Sequence, residues 1–122
     1  ELILSALLLT LIQSWLIPMF LNLDNLSFLL SNRDEDFEYS AITKRAQRAS
    51  ANLYETLPIF LTLMLLGLIL DVDLILSGSV WIVLRLLFLM CYLGGIRIVR
   101  SGIWVASVVT LIMMGLDIVA TV

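Results

Sequence analysis

Four stretches of this chain are apolar for long enough to cross a lipid bilayer, and no other feature restricts its fold as severely. A spanning helix needs about 20 mostly apolar residues. The candidates run from about 2 to 21, 41 to 70, 77 to 93 and 97 to 121. Composition points the same way. Of the 122 residues, 61% are hydrophobic and 14% charged, with a mean hydropathy of +1.10. Soluble domains carry about 45–50% apolar and roughly 25% charged residues. A water-soluble fold of this size has no interior large enough for so much apolar surface. The expected fold is all-α: an integral membrane four-helix up-down bundle, read as one domain over residues 1–122.

Several function classes drop out early. The net charge is -3, so no basic surplus exists to neutralise nucleic-acid phosphates. Cys91 is the single cysteine, which rules out an internal disulfide. There is no histidine, the commonest metal ligand and neutral-pH base. Zinc sites and Ser/His/Asp triads are excluded, and no metal site is expected. The first stretch is long for a secretion signal and lacks a basic start or a small-residue cleavage site, so it is read as a span. The opening at Glu1, without Met, suggests residues before it.

The connections orient the bundle. Residues 22–40 are mixed, with Asp24, an apolar patch and then Arg33-Asp34-Glu35-Asp36. They read as an ordered loop lying partly on the membrane surface, its acidic cluster solvated. The second stretch is roughly 45 Å long as a helix and should project beyond the hydrocarbon. Gly94-Gly95 ends the third. Arg33, Lys44, Arg45, Arg48, Arg97 and Arg100 fall on the side shared by the first and third connections. Glu1, Asp71, Asp73 and Asp117 fall toward the other side. Cytosolic loops carry the excess of Lys and Arg, so the shared side is the cytosolic one.

The second stretch also carries a polar stripe. Arg45, Arg48, Asn52 and Glu55 are spaced by three, four and three, which places them on one helical face. Charges within a bilayer normally face a bundle interior, a wet cavity or an interface. Two readings stand. The stripe joins helices through ion pairs and an Asn hydrogen bond, or it binds a ligand. Arg97, Arg100 and Tyr92 lie near the same end. Arginine forks suit carboxylates and other anions. A small zwitterion with several carboxylates fits this inventory.

The segment Arg45-Ala46-Gln47-Arg48-Ala49-Ser50-Ala51-Asn52-Leu53-Tyr54-Glu55-Thr56-Leu57-Pro58-Ile59-Phe60 resembles the second-helix signature of the MAPEG family, the membrane-associated proteins in eicosanoid and glutathione metabolism. The fixed positions of R-x-x-R-A-x-x-N-x-x-E-x-x-P-x-F are all met. The segment from Tyr92 to Trp104, above all Arg100-Ser101, looks like the family's fourth-helix entry. Ser50 and Leu53 depart from characterised members, which often have His or Gln and then Asp there. The resemblance implies a homotrimer that binds glutathione between subunits near the cytosolic face. It implies Arg48, Asn52, Glu55 and Tyr92, with Arg45 beside them, as glutathione-binding residues. Arg100 would be the catalytic arginine that stabilises the thiolate. The implied reaction is thiolate attack on a lipophilic electrophile or reduction of a lipid hydroperoxide, in a bacterial-type member of the inner membrane. The alternative is a non-catalytic scaffold or lipid-binding protein that docks another membrane protein.

Three further expectations concern single residues. Arg85 and Asp117, both inside spans, should form a buried ion pair. Cys91 should be a small buried hydrophobe rather than a reactive thiol. Trp15, Trp81 and Trp104 should anchor or pack, and Gly67, Gly78 and Gly115 should allow close helix approach.

Overall fold

The structure is a computed structural model in which residues 1–23 and 40–122 are described. The surface-loop and acidic-cluster expectations for 24–39 lie outside the described residues. The described residues form four helices and no strand: α1 (Leu2–Leu21), α2 (Ala41–Ile69), α3 (Ile75–Leu93) and α4 (Ile98–Thr121). Each is long and apolar enough to cross a bilayer, and only about a third of each span or less is buried within the chain. The remaining apolar faces need lipid or another protein.

α1 is not uniform. It is α-helical over Leu2–Leu11, π-helical over Ile12–Leu16 and α-helical again over Ile17–Leu21. Pro18 has no N–H for the preceding turn, and a π-turn just before it absorbs the broken ladder. α2 starts cleanly because Ser40 caps it, its Oγ accepting from the Thr43 amide at 3.2 Å. Asn22, at the end of α1, donates to Thr43 Oγ1 at 3.2 Å, so the same cap ties α1 to α2. Ser50 Oγ donates to the Gln13 carbonyl at 2.9 Å, and Tyr54 donates to Ser14. Ser50, one of the two departures from the family pattern, is therefore a strut between helices.

The core lies mainly between α2, α3 and α4, with Ala6 of α1 buried against it. Phe60 and Trp81 stack with centroids 4.1 Å apart, surrounded by Leu53, Leu57, Met64, Leu111 and Met114. Leu53, the other departure, is fully buried there. Trp81 packs in this core, whereas Trp15 and Trp104 face outward. Cys91 is buried and free.

The turn between α2 and α3 is compact because Gly67 lets it fold back. A Cβ on Gly67 would stand 2.7 Å from Leu74 Cδ1 and 3.3 Å from the Val72 carbonyl. Gly78 is tight against Leu2 and Met64, while Gly115 meets only ordinary contact. The turn closes through Val72 N–H donating to the Gly67 carbonyl, around Asp71 in the left-handed region at φ 57°.

Arg85 and Asp117 do not pair, which corrects the expectation. Arg85 is buried mid-helix and donates from Nη1 to Asn52 Oδ1 at 2.9 Å. Asp117 is exposed near the end of α4. Counted from the shared end of the two helices, Arg85 lies roughly 15 Å deep and Asp117 only roughly 6 Å.

Two opposite outcomes are expected for the α2–α3 turn. Asp71→Gly removes a left-handed cost and should stabilise the protein by about 1 kcal/mol. Gly67→Ala should gain up to about 1 kcal/mol of helix propensity but lose more to crowding, for a net loss of about 1–2 kcal/mol. Thermal unfolding of the detergent-solubilised variants measures both.

Candidate functional site

α3 ends in a motif that shapes its surroundings. The Gly95 N–H donates to the Tyr92 carbonyl at 3.2 Å and the Ile96 N–H to the Cys91 carbonyl at 2.9 Å. Gly95 sits between them at φ 73°, a conformation that a residue with a Cβ adopts at a cost. It also has little room for one: a Cβ would stand 3.2 Å from Arg45 Nη1 and 3.4 Å from Nη2, so the guanidinium would have to shift. The guanidinium of Arg45 therefore lies flat against this turn. Sequence reading treats Gly94-Gly95 as a helix break only; the turn is also the seat for an arginine from α2.

A pocket of about 360 Å³ opens at this end of the bundle. Its charged lining is Lys44, Arg45 and Arg48 from α2 with Arg97 and Arg100 at the start of α4. Tyr92 supplies an aromatic wall, and the Arg100 guanidinium carbon lies 4.4 Å from its ring centroid. A cation held over an aromatic face is attracted by the ring's quadrupole and is restricted in direction. Among the described residues no carboxylate lines the pocket. Five cations with no counter-charge among the described residues have the chemistry to hold an anion with more than one negative group.

Of the six residues singled out from sequence, Arg45, Arg48, Tyr92 and Arg100 come together in this pocket. Asn52 and Glu55 do not line it. They continue the stripe deeper along α2, where Asn52 is half-buried and Glu55 exposed. Among the described residues Glu55 makes no ion pair.

Arg85 is the residue that sequence reading placed wrongly. It is 1% exposed, with its guanidinium carbon 4.4 Å from the Phe88 ring centroid and 6.0 Å from that of Trp81. Phe88 meets Tyr92 edge to face at 5.4 Å. Arg85, Phe88 and Tyr92 thus form one column on α3 that leads to Arg100. The signal was available: positions 85, 88 and 92 follow the three-then-four spacing of one helical face. Among the described residues Arg85 Nε and Nη2 have no hydrogen-bond partner, nor does the side-chain amide of Gln13, which is 1% exposed in the π-turn. Nothing in the sequence marks Gln13 as buried.

The model of the MAPEG family matches residues 2–120, nearly the whole chain. Neither a curated protein nor a solved structure gives a significant match. Four spanning helices, the second-helix motif and a match over that length agree, and the chain belongs to the MAPEG family.

Proposed function

We propose that the chain is a membrane-bound, glutathione-dependent transferase or peroxidase that acts on lipophilic electrophiles or lipid hydroperoxides as a homotrimer. The observation that carries this reading is the pocket: five cations and a tyrosine at the end of a bundle whose flanks are exposed apolar surface. A soluble anion reaches it from the aqueous side. A lipophilic partner reaches it from the bilayer.

The residues fit glutathione, which has two carboxylates, one ammonium, two peptide groups and a thiol. Arg45 and Arg48 would hold carboxylates in charge-assisted hydrogen bonds. Glu55 would take the ammonium and Asn52 a peptide or carboxylate group. When bound, glutathione supplies the sulfur nucleophile or reductant. Arg100, restricted over Tyr92, would favour the ionised form of a nearby thiol, since an adjacent cation lowers a thiol's pKa. Tyr92, backed edge to face by Phe88, gives the pocket an aromatic inner wall.

Assembly follows from the stripe. Glu55 stands at the midpoint of the 29-residue α2 and is exposed in the single chain. A carboxylate left against hydrocarbon is costly, by about 3 kcal/mol or more. Another copy covering this face removes that cost and encloses a site between subunits. The basic end is placed in the cytosol by the positive-inside rule, and the membrane is taken as a bacterial inner membrane.

The scaffold reading requires Arg48 and Glu55 to satisfy each other and the arginines to be packed away. Among the described residues that pair is not formed, and Arg48 is exposed beside the pocket. The geometry favours a ligand.

Calorimetry on the purified protein tests the proposal. Glutathione should bind with a millimolar or smaller Kd, about -4 kcal/mol or better. Arg100→Ala and Glu55→Gln should each weaken binding by about tenfold or more while eluting like the wild type. A wild-type protein that binds no glutathione would contradict the reading.

A further inference from the structure

The contact between Arg85 and Asn52 decides which half of the Asn52 amide faces the stripe. A carboxamide's oxygen and nitrogen are nearly isosteric, so its orientation is fixed by what its partners can give. A guanidinium has five donors and no acceptor. With Arg85 Nη1 at 2.9 Å, the atom turned inward can only be Oδ1. The Nδ2 group then points away from Arg85, and among the described residues it donates to none.

Arg85 is well held for such a role. It is 1% exposed and lies against the rings of Phe88 and Trp81. Turning away would take a charge through the apolar core.

We infer that Arg85 is a positioning residue that locks Asn52 as a hydrogen-bond donor, so that the ligand group recognised there is a carboxylate or carbonyl oxygen and not an N–H. This rests on the proposed reading of the stripe as a ligand site, and it sharpens it. Glu55, an acceptor when ionised, selects the opposite class. The ligand is therefore read with a direction along α2: acceptor groups from Arg45 through Asn52, then a donor such as an ammonium at Glu55. Helix packing alone also explains an Arg85–Asn52 bond, so the test must move the outward face and leave the inward one intact.

Asn52→Asp does this. It keeps an oxygen opposite Arg85 and replaces the outward N–H with a second oxygen. The probes are glutathione and glutarate, a plain dicarboxylate, added to the purified full-length chain. Binding is read by calorimetry and the Asn52 side-chain NH2 signal by 15N NMR, that signal being the one absent from Asn52→Asp. The expected result is a variant that elutes and melts like the wild type or at higher temperature, yet binds either probe at least about tenfold more weakly. In the wild type the NH2 signal moves on adding glutarate. Arg85→Lys, which still donates to Oδ1, retains more affinity than Arg85→Met. An Asn52→Asp protein that binds both probes as tightly as the wild type overturns the inference, as does an NH2 signal indifferent to both. A signal that answers glutarate but not glutathione upholds the donor assignment and removes the glutathione reading.

Discussion

A charge on a membrane-spanning helix has to be covered by protein or reach water, and the arrangement of this chain follows from which of its charges it covers and which it leaves open. Arg85 is enclosed by its own subunit, between two aromatic rings and the oxygen of Asn52. Arg45 is laid against the glycine turn at the end of α3. Arg48 and Glu55 are left exposed on α2. The first two solutions build a rigid wall. The last is incomplete in a single chain, since Glu55 at the midpoint of α2 is exposed and has no ion-pair partner among the described residues.

The wall and the open face are linked by one helix. On α2, the side that carries Leu53, Leu57 and Phe60 is buried in the core, while the opposite side carries Arg48 and Glu55. Asn52 lies at the boundary. It is half-buried and bonded inward to Arg85, so packing in the core and the polar stripe share a residue. Tyr92 plays the matching part on α3, edge-on to buried Phe88 and face-on to Arg100. The pocket is therefore an edge of the core and not a loop added to it.

Much of this was legible in the sequence because the bilayer enforces simple rules. Span length gives the helices, and the three-four-three spacing gives the stripe. What was not legible depends on depth and on partners. Arg85 and Asp117 look equivalent as charges within spans. α3 and α4 run antiparallel with different lengths, so the two residues sit at different levels, and Arg85 meets an uncharged partner on α2. The π-turn in α1 and the burial of Gln13 were equally hidden, since π-helix has no pattern in residue type. Ser50 and Leu53, departures by family pattern, are explained by packing: one bonds the backbone of α1 and the other fills the core.

The central claim is that the face of α2 bearing Arg48 and Glu55 is closed by further copies of the chain. Native mass spectrometry of the protein released from detergent tests this most directly. The account predicts a three-subunit species that persists on dilution and dissociates when Glu55→Leu is combined with Arg48→Leu. A wild-type protein that is monomeric while its helices and core remain intact would contradict it.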